Sequence, residues 1–98
     1  MAKVYHAVNP VFNEDIQPWP SSYELVAEVD TDNLEVAFQQ TNTIMHPWWE
    51  NPDVAPYKRT RSTSVGDIVE VKGKFWMVCV AGWKEVQVSP TRVRWPIV

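Results

Sequence analysis

The chain has one cysteine, three glycines and two histidines in 98 residues. With Cys79 alone, no internal disulfide can form, which suits a reducing compartment. Cys79 lies within Phe75-Trp76-Met77-Val78-Cys79-Val80 and reads as a small buried hydrophobe. A catalytic thiolate needs an electropositive, accessible setting, and a strand core is a poor one. The three glycines stand in neither GxGxxG nor Walker order, so no phosphate loop is expected. His6, His46 and Cys79 are too few and too scattered for a metal centre. No metal or other cofactor is expected. No apolar run is long enough to span a bilayer. The segment Met1-Ala2-Lys3-Val4-Tyr5-His6 lacks the apolar stretch of a signal peptide. These absences together predict a soluble, intracellular protein without membrane contact.

What is present is aromatic and proline-rich. Six Trp and eight Pro accompany a hydrophobic fraction of 45%. Such a chain folds rather than staying disordered, and its length predicts one domain over residues 1–98. Trp buries a large area yet keeps an N–H that needs a partner, so it favours wet-edged cores and interfaces. The net charge of −3 hides a split. Lys3 is the one base in residues 1–53, against Glu14, Asp15, Glu24, Glu28, Asp30, Asp32, Glu35, Glu50 and Asp53. Residues 54–98 are basic. Two halves that pair with each other explain this, as do separate acidic and basic faces.

Strand signals recur along the chain. Residues 3–8 are β-branched and aromatic and end at Asn9-Pro10. Residues 11–22, with Pro18-Trp19-Pro20, read as irregular. In residues 23–29, Tyr23, Leu25, Ala27 and Val29 fall on one face of a strand. A short helix follows, with Leu34, Ala37, Phe38 and Thr41 at helical spacing. Asp32 with Glu35 fits a capping box, and Thr31 is the alternative cap. Residues 43–60 form a long non-periodic connection. Residues 67–72, 75–80 and 83–88 then read as three strands, joined by turns at Lys72-Gly73-Lys74 and Ala81-Gly82. The stretch 75–80 is apolar on both faces, as a central strand is. Residues 91–98 form a tail that adds at most an edge segment. The expected class is α+β: a mainly antiparallel sheet of about five strands, ending in a three-stranded meander, with one helix packed on it.

The run from Tyr23 to Val86 resembles the YodL-like domain. The landmarks are Tyr23-Glu24-Leu25-Val26, then Asn33-Leu34-Glu35 with Phe38 and Asn42, then His46-Pro47. Arg61-Ser62-Thr63-Ser64-Val65-Gly66-Asp67-Ile68-Val69 and Val80-Ala81-Gly82-Trp83-Lys84-Glu85-Val86 complete it. The family more often has Ser at Gly66 and Phe at Trp83, and Trp48-Trp49 departs from its pattern. The resemblance implies a small protein of phages, plasmids and other mobile elements, acting in the cytoplasm of a bacterial host cell. It implies no catalytic residues.

Three readings of function follow. A nucleophilic site would draw on Ser62, Ser64, His6, His46 and Asp67, but no nucleophile elbow surrounds the serines. Ser62, Thr63 and Ser64 are read instead as bonding local backbone, with Asp67 closing the turn. A nucleic-acid site would use Lys58, Arg59 and Arg61, with Arg92 and Arg94, and stacking aromatics nearby. Against it, the short run is read as a solvated loop paired with Glu50 and Asp53. The third reading is a non-catalytic module whose aromatic loop binds and modulates a host protein. Trp48, Trp49, Tyr57, Lys58, Arg59 and Arg61 are its candidate contact residues. The acidic residues Glu24, Glu28, Asp30, Asp32 and Glu35 would add an electronegative face. Equally, the two Trp cover the sheet face that a single helix leaves open. Edge strands in so small a sheet also permit a homodimer. The interaction module is the leading reading, and no enzymatic activity is expected.

Overall fold

In the computed structural model, which describes residues 1–88, six strands form one antiparallel sheet. They are β1 (Ala2–Ala7), β2 (Tyr23–Val29), β3 (Val54–Pro56), β4 (Ile68–Val71), β5 (Lys74–Cys79) and β6 (Gly82–Val86). Their order across the sheet is β3-β2-β1-β4-β5-β6. One helix, α1 (Leu34–Gln40), follows β2, and a single 3-10 turn spans Trp48–Glu50. The α+β class and the β4-β5-β6 meander agree with the sequence reading. The strand count does not: it is six, because β3 lies inside the stretch read as irregular. Three residues ending in Pro56 are too few to show a period of two. The tail 91–98, with Arg92 and Arg94, lies outside the described residues.

Both faces of the sheet carry apolar cores. On the first face Val4, Val29, Val69 and Val71 pack with Ala37 of α1 and with Trp48. On the second face Ala7, Tyr23 and Ile68 are buried beneath Tyr5, Trp19 and Phe75. Each fully buried aliphatic side chain here stabilises by roughly 1.5–3 kcal/mol. Two cores explain why β5 is apolar on both sides. It is an internal strand, although the middle of the sheet belongs to β1 and β4.

The second face is covered by the irregular loop 11–22 rather than by Trp48 and Trp49. Trp19 inserts among Tyr5, Tyr23 and Phe75, with ring centroids 4.9, 5.4 and 5.2 Å away. Trp48 sits on the same face as the helix.

The expected alternation in β2 breaks in the middle. Val4 pairs with Ala27, but Tyr5 pairs with Leu25, so Val26 is an extra residue. This bulge turns Tyr23 toward the second core while Ala27 and Val29 remain on the first. One continuous face from Tyr23 to Val29 therefore does not form.

Local chemistry sets the turns and caps. Lys72 and Gly73 both have positive φ, 54° and 78°, between the paired Val71 and Lys74. That is the two-residue hairpin geometry that matches strand twist. The cap of α1 is Asn33 rather than Asp32 or Thr31. Asn33 Oδ1 accepts from the Val36 amide at 3.1 Å, and Thr31 Oγ1 accepts from the Asn33 amide at 3.0 Å. Gly66 has φ of 95°, and a Cβ there would meet the Asn13 carbonyl oxygen at 2.8 Å. Only glycine fits that position.

The β3 edge offers no amide N–H to a further strand. The Tyr57 amide donates to Val26 at 2.7 Å, so ladder alternation turns residues 54 and 56 outward. The Val54 amide is already bonded to the Asn51 carbonyl, and Pro56 has no N–H. Among the described residues no helix is long and apolar enough to cross a membrane.

Candidate interaction surface

The segment 61–67 is the anchor on which the neighbouring loops rest. Arg61 and the buried Asp67 form a two-pronged ion pair, Nη1 to Oδ2 at 2.6 Å and Nη2 to Oδ1 at 2.8 Å. Asp67 also accepts from the amides of Ala7 (2.9 Å) and Ser64 (2.8 Å). Arg61 donates further to the carbonyls of Ser62 and Ala7 and to Ser64 Oγ, and its guanidinium lies 5.9 Å from the Phe12 ring centroid. The fork geometry of arginine suits this bidentate grip. The hydrogen bond to Asp67 raises the Arg61 pKa above its ordinary value. As read from the sequence, Asp67 closes a turn, its own amide donating to Ser64 O at 3.0 Å.

A second buried network joins β1 to the end of α1. His6 Nε2 lies 2.8 Å from Thr63 Oγ1, which donates to Thr41 Oγ1 at 2.8 Å. Thr41 Oγ1 in turn donates to Ala37 O at 2.8 Å. The Thr63 amide donates to Thr41 O, and Asn42 Nδ2 donates to Thr63 O at 2.6 Å. Thr63 thus ties strand, helix and loop together instead of bonding only its neighbours.

Thr63, His6 and Asp67 have the residue types of a catalytic triad but not its arrangement. Asp67 Oδ2 is 3.9 Å from the same Nε2 that faces Thr63. A triad acid must hold the other ring nitrogen, and His6 Nδ1 has no partner among the described residues. All three side chains are fully buried, so no substrate reaches them. Burial pulls the His6 pKa down to about 4, a loss only partly offset by the Asp67 carboxylate. Among the described residues, no three His, Cys, Asp or Glu side chains group as metal ligands.

The loop after α1 rests on this frame. Thr43 Oγ1 donates to His46 O at 2.8 Å, His46 Nε2 donates to Asn51 Oδ1 at 2.5 Å, and Asn51 Nδ2 donates to Gln40 O at 2.7 Å. Trp48 is 2% exposed, and its indole N–H donates to Thr60 O and Arg61 O at 3.0 and 3.2 Å. Its polar atom is satisfied, so the ring can be buried at little polar cost. Trp49 is half-buried against the first core, edge-on to Trp48 at 5.6 Å. Between these fastened points stand Ile44 and Met45, 94% and 93% exposed. They are the most exposed large apolar side chains among the described residues.

The six candidate contact residues divide. Trp48 and most of Trp49 are committed to the core. Arg61 is committed to Asp67. The Tyr57 hydroxyl donates to Glu28, a bond that raises its pKa. Lys58 pairs with Glu24 at 2.9 Å, so its acidic partner comes from β2 and not from Glu50 or Asp53. With Lys72 3.9 Å from Asp32, acidic and basic halves of the chain do pair across the fold. Arg59 is exposed and makes no ion pair among the described residues. Tyr57, Lys58 and Arg59 are contiguous beyond β3 and reach solvent together. Ile44 and Met45 escaped the sequence reading. Their signal was an apolar pair set between Thr43 and His46 in a stretch with no helical period.

No family model matches the chain, and neither a curated protein nor a solved structure matches it.

Proposed function

We propose that this protein is a non-catalytic binding module, an accessory protein of a phage or other mobile element that binds a host protein in the bacterial cytoplasm and modulates it. The setting rests on the resemblance of residues 23–86 to the YodL-like domain. The binding role rests on one observation: Ile44 and Met45 stand almost fully in water on a loop hydrogen-bonded on both sides. An apolar pair held out in this way costs hydration and is preorganised for a partner's pocket. Tyr57, Lys58 and Arg59 form the adjoining polar part of the surface. Nucleic-acid binding draws less support, since Lys58 and Arg61 already face carboxylates.

The test is affinity capture from bacterial lysate, with and without nuclease, using the protein and its Ile44→Ser/Met45→Ser variant. One host protein that survives nuclease and is lost with the variant supports the reading. Capture that disappears with nuclease, and with Lys58→Ala/Arg59→Ala instead, replaces it with nucleic-acid binding.

A further inference from the structure

A groove of about 250 Å³ opens where α1 meets the β5-β6 hairpin. Glu35 and Phe38 line it from the helix, three residues apart and so on one helical face. Trp83 lines it from β6, with Val65, Val78 and Cys79 also contributing. The Phe38 and Trp83 rings stand at 87° with centroids 6.4 Å apart, giving two aromatic walls. The Trp83 indole N–H donates to Glu35 Oε1 at 3.3 Å and holds the carboxylate beside the rings. Glu35 makes no ion pair among the described residues. Glu35 is the one acidic or basic residue among those lining the groove.

Aromatic faces beside an unpaired carboxylate attract a cation, and apolar walls attract an aliphatic stem. We propose that this groove binds the lysine side chain of a partner peptide, the ammonium against Glu35 and the stem against Phe38 and Trp83. The lysine ammonium is a compact point charge on an unbranched apolar stem, which one carboxylate beside two ring walls accommodates. The groove is independent of the Ile44–Met45 tip, and either can fail without the other.

The experiment is titration of the full chain with N-acetyl-lysine methylamide, followed by ¹H–¹⁵N NMR. The Trp83 indole signal is assigned by its loss in Trp83→Phe. Saturable shifts at that signal are expected, with a Kd on the order of millimolar for so small a ligand. The norleucine analogue, which lacks the ammonium, should bind about fivefold to tenfold more weakly. Glu35→Gln, a change on the exposed helix face, should lower lysine affinity to the norleucine level with the remaining spectrum unchanged. Equal binding of the two amides, an unaltered Kd in Glu35→Gln, tighter binding of the arginine amide, or no saturable shift would each overturn the proposal.

Discussion

His6 Nε2 sits 2.8 Å from Thr63 Oγ1, at the head of a buried hydroxyl relay. Thr63 donates to Thr41, and Thr41 to the Ala37 carbonyl. With the relay running that way Thr63 offers His6 a lone pair, which suits the tautomer with its hydrogen on Nε2. Among the described residues Nδ1 has no partner, so protonating it would bury an N–H⁺ without an acceptor, which agrees in direction with a pKa near 4.

A pH dependence follows from His6. Its folded pKa of about 4 lies below its ordinary 6.5, so between those values the unfolded chain binds more protons. Stability is complete above pH 6.5 and is lost as pH falls toward 4, by up to about 3 kcal/mol. Urea midpoints measured from pH 7.5 to 4 should fall through that window. A midpoint that stays level there would show that His6 is not held neutral.

The Arg61–Asp67 pair should behave as a structural clamp. Asp67→Ala leaves a guanidinium and two amides without their acceptor and should cost about 3–5 kcal/mol. Arg61→Ala, whose side chain keeps some contact with water, should cost less, about 2–4 kcal/mol. The double variant should destabilise by clearly less than the two single losses added together. Strict additivity in denaturant melts would argue against a coupled pair.

The two apolar features of the α1–β3 connection should separate cleanly. Trp48→Ala empties a core position and should lower stability by about 3–5 kcal/mol. Ile44→Ser and Met45→Ser remove side chains that touch little and should stay within about 0.5 kcal/mol. Thermal unfolding of the three variants decides the matter. A large drop for Ile44→Ser would mean that the tip is packed.

Gly66→Ala should cost about 1–3 kcal/mol, from a strained φ and from the approach of the Asn13 carbonyl. Gly66→Ser should cost a similar amount, since its Cβ meets the same oxygen. A neutral midpoint for either variant would show that the 11–22 loop yields freely.

Much of the sheet was legible because its signals are local. The β4-β5 hairpin follows from Lys72-Gly73 and from alternation through Val69 and Val71. The α1 boundary was read within a residue or two, since capping oxygens act only across one turn. The bulge at Val26 was not legible: no glycine marks it, and it exists because of how β1 pairs. The Trp48–Trp49 question turned on a rotation of about 120° per residue in a 3-10 turn, which buries one ring and lifts the other. His6 gave a partial signal, since it shares a strand face with Val4. Its partner Thr63 lies 57 residues away, beyond any local pattern.

The β3 edge limits how copies of this protein can join. A further strand pairs by exchanging N–H and C=O groups, and residues 54 and 56 can accept but have no N–H to give. In the language of polymers this end couples poorly, because an incoming strand would find half of its bonds missing. The edge thus acts as a partial chain terminator against fibre formation.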